Sequence, residues 1–240
     1  HDRRDEIPVT RWRDSEGRQP TSYNQWKAVR GPAGDFVVEH VNEQQVFFKG
    51  DRIDLYCVLV NETLYPEIEV SLNQYISDVA ADGFTVELFT ISGGTPEDIR
   101  SFLQSKYAEG MVGAVLIGDL PVPWYEANCW SDPVEHEEFP CDLFYMDLDG
   151  TWNDIDFDGL FDDHYGDVTP EVWVGRLTAS PLTYGGATEA TLLQNYFYKN
   201  HMFRTGAMIL ENRGLAFVDD DWQPWASSWG SRWRRGTRRT

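Results

Sequence analysis

The chain has 240 residues, 41% of them hydrophobic and 25% charged, enough to bury a full core in one large domain or two small ones. Its formal charge of −20 argues against a basic face for phosphate backbones or anionic lipid, so neither nucleic acid nor an acidic membrane is an expected partner. No stretch reaches the roughly 18 apolar residues of a membrane-spanning helix. The chain starts at His1, without Met or an apolar leader, which reads as a processed product or a piece of a longer protein.

Residues 1–50 are polar and Arg-rich at the start, and read as an N-terminal extension wrapping the domain. Val37-Val38 and Val46-Phe47-Phe48 are candidates for short edge strands. From Ile53 the pattern becomes regular. Ile53 to Val60 (IDLYCVLV) is a near-continuous apolar run, as expected of a strand covered on both faces. Pro66 opens a helix whose Ile68, Leu72, Tyr75, Ile76 and Val79 share one stripe, and Gly83 ends it. Phe84 to Ile91 is the next strand. Thr95-Pro96-Glu97-Asp98 then combines an N-cap, a first-turn proline and acids at the helix start. Ile99, Phe102 and Leu103 face inward until Gly110, and Val112 to Asp119 makes a third strand. Strand, helix, strand, helix, strand with short links predicts a parallel sheet.

Such sheets place their sites at the carboxyl ends of their strands. After the first strand comes Asn61-Glu62-Thr63-Leu64, without glycine. Neither GxGxxG nor GxxxxGK[ST] occurs, so dinucleotide and P-loop readings fail. Asn61-Glu62-Thr63 matches a glycosylation sequon, a pattern common by chance. Residues 120–170 read as a long insertion, which in a compact domain usually has a job or an ion to order it. Glu171 to Leu177 returns to strand. Ala187 to Phe203 reads as a helix with Leu192, Leu193, Tyr196 and Phe197 on its buried side, and Leu215 to Val218 as a last strand. The tail from Ser231 to Thr240 holds five arginines and no acid. Nothing upstream prepares for it, and the preferred reading is a chain cut at an arbitrary point or read out of frame.

Within the insertion, Asp142 to Asp167 contains nine aspartates and no Lys or Arg. Carboxylates this crowded repel one another unless a hard cation, most often calcium, binds between them. Asp154, Asp156, Asp158 and Gly159 follow the first half of a calcium loop, and Asp162 falls at its ninth position. Position twelve is Tyr165 instead of a bidentate Glu. Asp163, Asp167, or Asp147 and Asp149 of the preceding turn are the candidates to close the shell. The expected metal ligands are therefore Asp147, Asp149, Asp154, Asp156, Asp158, Asp162 and Asp163, with Ca2+ as the ion. The alternative is a solvated acidic turn. His164 among these acids reads as a surface residue rather than a zinc or iron ligand. Of the three cysteines, Cys57 reads as buried in its strand. Cys129 and Cys141 flank a loop, and either close it with a disulfide or remain reduced thiols.

Val115-Leu-Ile-Gly-Asp-Leu-Pro-Val-Pro, Asp142-Leu-Phe-Tyr-Met-Asp-Leu-Asp-Gly, the Asp/Gly loop and Pro170-Glu-Val-Trp-Val-Gly-Arg-Leu form an ordered series. Together, over about residues 53–222, they resemble the gingipain-type cysteine peptidases, a family of the caspase-like clan. The resemblance implies a three-layer caspase-like α/β sandwich over residues 51–222, with a mainly parallel sheet and the acidic insertion at 120–170. It also implies stabilising calcium sites, secretion, a polypeptide substrate, and cleavage by a Cys–His dyad. In that family a His, typically followed by Gly, ends one strand and the nucleophilic Cys ends a later one. Here His40, His136, His164 and His201 precede Val, Glu, Tyr and Met. No catalytic residue is assigned on this pattern. The expectation is the N-terminal part of a calcium-stabilised peptidase, inactive by itself, whose catalytic half would follow Asp221; residues 223–240 are set apart as an irregular basic tail. Two other readings stand beside it. One is a non-catalytic calcium-dependent binding module. The other is a metal-dependent hydrolase using Asp119, Asp219, Asp220 and Asp221.

Overall fold

In the computed structural model residues 22–30, 32–45, 54–128 and 136–210 are described. The strand at 46–48, Cys129, the strand at 215–218, Asp219 to Asp221 and the arginine tail lie outside them. Helix α1 (Tyr23–Arg30) precedes strand β1 (Val37–Gln44). The regular stretch follows as β2 (Leu55–Asn61), α2 (Tyr65–Ala81), β3 (Thr85–Ser92), α3 (Pro96–Ala108) and β4 (Met111–Ile117). After β9 (Trp173–Leu177) comes α5 (Glu189–Arg204). Ser22–Ile209 form one compact unit; the second unit, His1–Thr21 with Leu210–Thr240, is outside the described residues except for Leu210.

The central sheet runs β1-β3-β2-β4-β9. Its β3, β2, β4 and β9 pair in parallel, and β1 alone joins antiparallel at the β3 edge. Alternation along β2 shows why its run is apolar throughout. Tyr56, Val58 and Val60 point to one face, against Ile68, Leu72 and Ile76 of α2 and Leu193 and Phe197 of α5. Leu55, Cys57 and Leu59 point to the other, against Ile99 and Leu103 of α3. The sheet is thus the middle layer of three. Each fully buried Leu or Ile contributes on the order of 1.5–3 kcal/mol relative to exposure, so this stretch dominates the stability.

Local signals place the helices. Thr95 and Asp98 form the reciprocal capping box at α3, and Thr188 and Thr191 repeat it at α5. α2 starts without a side-chain cap. Instead Asn61, ending β2, accepts from the backbone of Thr63 and Leu64 and donates its amide to the Asp119 carbonyl. The sequon's amide thus holds the ends of two strands together. Along α5, Leu193 and Phe197 are buried as expected, but Tyr196 is 45% exposed, because it falls off the stripe that meets α2.

Residues 120–170 differ from a single irregular insertion. They contain a hairpin of β5 (Trp124–Asn128) with β6 (His136–Pro140), the short helix α4 (Leu143–Met146), and a hairpin of β7 (Thr151–Asn153) with β8 (Asp163–Tyr165). Phe144, Tyr145 and Leu148 join the core on the α3 face, with Trp152 and Phe161 packed against it. Their aromatic and aliphatic surface ties the acidic segment to the sheet. Arg176 of β9 adds a polar tie. Its guanidinium makes two 2.8 Å bonds to Asp142 and also donates to the carbonyls of Leu120 and Pro121. A planar fork suits this bidentate geometry. The three segments Gly118–Pro121, Asp142–Asp147 and Gly175–Arg176 therefore meet at one point.

Candidate metal centre

Two groups of carboxylates gather beyond the sheet. In the first, Asp154, Asp156 and Asp158 offer oxygens within 4.8 Å of one another, and Glu126, Asp156 and Asp162 do the same. Asp156 belongs to both triads, so five carboxylates form one continuous arc. The loop that builds it turns on Phe157 at φ 63° and Gly159 at φ 101°. Asp154 accepts from the backbone N–H groups of Asp158 (3.2 Å) and Gly159 (2.9 Å). Asp158 accepts from Leu160 and Asp162 from Ile155. These bonds fold the loop inward on itself, with Leu160 buried beneath and Phe157 out in solvent. Desolvation, reinforced by the charges of Asp158, Asp156 and Asp162, raises the Glu126 carboxyl above its ordinary range, although His136 opposes this.

The second group is Asp147, Asp149 and Glu171. Asp147 is completely buried, at 0% exposure. One of its oxygens accepts from the Gly150 N–H at 2.7 Å and the other pairs with His164. A Cβ at Gly150 would stand 2.1 Å from that carboxylate, so no larger residue fits there. Arg100 and Gln104 of α3 hold the turn from outside by donating to the carbonyls of Asp147, Gly150 and Leu148. Glu171 accepts from the Leu148 N–H at 2.6 Å. Desolvation, then repulsion from Glu171, Asp167 and Asp147, raises the Asp149 carboxyl.

The seven expected ligands are thus divided. Asp154, Asp156, Asp158 and Asp162 come together, whereas Asp147 and Asp149 stand in a separate group with Glu171. Asp163 joins neither group among the described residues; its carboxylate accepts from Asn153 at 3.5 Å. His164 is not a surface residue. Its side chain is 13% exposed and stacks on Trp152 with ring centroids 3.8 Å apart. Glu126 and Glu171 are the members missed from the sequence. Glu126 sits 30 or so residues before the loop, on a strand that the bridge between Tyr125 and Phe161 brings in, and Glu171 read as the start of a strand. Both groups offer only carboxylate oxygens as ligands, a donor set suited to a hard cation rather than a thiophilic one.

The thiols stand apart from these clusters. Cys57 is fully buried in β2, and burial pushes its thiol up to about 12. Cys141 is a free, half-buried thiol that burial also raises; its possible partner Cys129 lies outside the described residues. The four described histidines engage other groups: His40 packs on Phe89, His136 pairs with Glu126, His164 with Asp147 and His201 with Asp78. Asp119, one of the acids of the metal-hydrolase reading, pairs with Arg30.

A mixed α/β layer structure on a mainly parallel sheet, with its polar clusters beyond the strands, is consistent with the caspase-like class of α/β fold. The model of peptidase family C25 matches residues 55–183, more than half of the 240-residue chain. The chain belongs to that family, the gingipain-type cysteine peptidases. No curated protein and no solved structure matches it. Among the described residues no helix is long and apolar enough to cross a membrane.

Proposed function

We propose that this chain is the calcium-stabilised, non-catalytic part of a secreted cysteine endopeptidase, and that the nucleophile and its His lie outside the described residues. Family membership supplies the reaction class. The observation that carries the rest is the state of the thiols. A cysteine nucleophile works as a thiolate, activated by a neighbouring His or another positive group. Cys57 and Cys141 instead have their thiols raised by burial, and the described histidines bind carboxylates or aromatic rings. The calcium reading rests on the arc of Glu126, Asp154, Asp156, Asp158 and Asp162. A doubly charged ion there would relieve the repulsion among these carboxylates, and would hold the loop to β5. Asp147, Asp149 and Glu171 offer a second, smaller set of hard donors. Peptide substrate and secretion follow from the family reading.

The test is turnover of a mixed peptide library by the 240-residue protein, before and after thiol alkylation. No alkylation-sensitive turnover is expected. Turnover that Cys141→Ala or Cys57→Ala abolishes would place the nucleophile inside this region and overturn the assignment.

A further inference from the structure

Helix α1 reads YNQWKAVR, without an acid and with Lys27 and Arg30 in its last turn. Eight residues do not hold a helix in water without tertiary contacts. The contacts here are few, and Tyr23 is the only residue of α1 that is buried. Tyr23 and Trp26 pack on Trp124 at centroid distances of 5.5 and 5.4 Å, in a small cluster completed by Leu160 of the acidic loop. The Tyr23 hydroxyl donates to the Gly159 carbonyl at 3.1 Å, and Lys27 donates to the Asp158 carbonyl at 3.2 Å. At the other end Arg30 pairs with Asp119, two residues beyond β4. The helix therefore runs from the acidic loop to the carboxyl edge of the parallel sheet. There it forms one wall of a cavity of about 460 Å³, with Gly93 and Gly94 after β3 and Pro121 and Pro123 after β4 among the other walls. Parallel α/β sheets bind their ligands at this edge.

The seat of α1 rests in part on the backbone of 158–160, and the Tyr23 N–H also donates to Glu138 of β6 at 3.0 Å. A Cβ at Gly159 would come 2.5 Å from the Tyr23 hydroxyl, so the ring lies directly on this turn. Asp154 and Asp158 shape the turn through their bonds to the N–H groups of Asp158, Gly159 and Leu160. Those carboxylates also belong to the first arc.

We propose that α1 is a strap linked to cation binding: with an ion in the 154–162 loop it lies across the carboxyl edge of the sheet, and on loss of the ion it detaches and opens the cavity. The inference rests on the calcium reading of that loop. Two effects compete in it. Neutralising the loop weakens its attraction for Lys27, but exposed charge contacts are weak. Ordering 158–160 fixes the surface under Tyr23 and Trp26, and aromatic burial is the larger contribution. Calcium therefore tightens the strap.

Hydrogen exchange of the 240-residue protein, in millimolar calcium and in chelator, tests this on two peptides. Residues 23–30 and 154–162 should both exchange roughly tenfold or more faster in chelator. Tyr23→Phe, which removes only the hydroxyl bonded to Gly159, should speed exchange of 23–30 in calcium about threefold. It should leave the calcium response of 154–162 in place. If 154–162 responds and 23–30 does not, or slows in chelator, the strap is wrong and the calcium reading survives. A response in 23–30 alone, or a Tyr23→Phe protein indistinguishable from the parent, removes the loop as the route. If neither segment responds, both readings fall.

Discussion

Residues 55–117 and residues 120–170 are held together in opposite ways. The first region is a sheet with both faces covered, where Val58, Leu59, Val60, Leu116 and Ile117 are all 0% exposed. Its order comes from non-directional apolar burial and needs no partner. Among the described residues the second buries fewer apolar side chains, such as Phe144, Tyr145 and Leu160, and adds many directed bonds. Asp147 pairs with His164, Arg176 bridges Asp142 and two carbonyls, and Asp154 folds its own loop. A core built from area tolerates changes of solution. A segment built from charges depends on pH, salt and ions.

The largest expected effect breaks the first region. Leu116→Ala should cost about 3 kcal/mol, from lost burial and the cavity left behind, as read from urea unfolding. Calcium should not restore it. A loss below about 1 kcal/mol would mean that the sheet is not the stabilising element. Arg176→Met comes next. It strands Asp142 and the carbonyls of Leu120 and Pro121, and should cost about 2–3 kcal/mol by the same measurement. Adding Asp142→Asn should return part of the loss, since the uncompensated carboxylate is then gone. Equal losses in the single and double variants would reduce the pair to a surface contact.

The third prediction separates the two regions by their response to calcium. At a hundredfold excess over the dissociation constant, calcium should stabilise the protein by about 2.7 kcal/mol, visible as a rise in melting temperature. Asp156→Ala should remove most of that rise, because Asp156 serves both triads of the first arc. Asp163→Ala should leave it intact. A melting temperature equal in chelator and calcium would reject the ion. The smallest effect is alkaline. The Cys57 thiol is raised from 9.0 to about 12, and burial raises the phenols of Tyr56, Tyr75 and Tyr145 as well. Above pH 9 the unfolded thiol ionises while the folded one stays protonated, so stability should fall between those values. Over the same range Cys57 should resist iodoacetamide until the protein unfolds. Rapid labelling of Cys57 in the folded state would contradict its burial.

How much of this was legible depends on where the signal lay. The stretch from β2 to β4 could be read because pattern and caps agree: an unbroken apolar run, a 3.6-residue stripe and the Thr95–Asp98 box all point the same way. The closeness of Asp154, Asp156 and Asp158 was legible for a similar reason, since they alternate along one short loop. Helix α1 was missed because it is held by Trp124 and Leu160, which lie about 100 and more residues away in sequence. His164 read as exposed for the same cause: only the β7–β8 hairpin brings Trp152 over its ring and Asp147 beside it.

The sequence by itself thus determined the layer order, the parallel sheet, the family and the excess of carboxylates, because hydrophobic period, capping and motif order are local properties. Which carboxylates meet was decided only in three dimensions. Glu126 joins Asp156 and Asp162 through the bridge between Tyr125 and Phe161, Glu171 joins Asp147 and Asp149 just before β9, and Asp163 turns to Asn153. Repulsion between like charges is the same along the chain whichever way it folds; the convergence of their oxygens is a property of the tertiary structure.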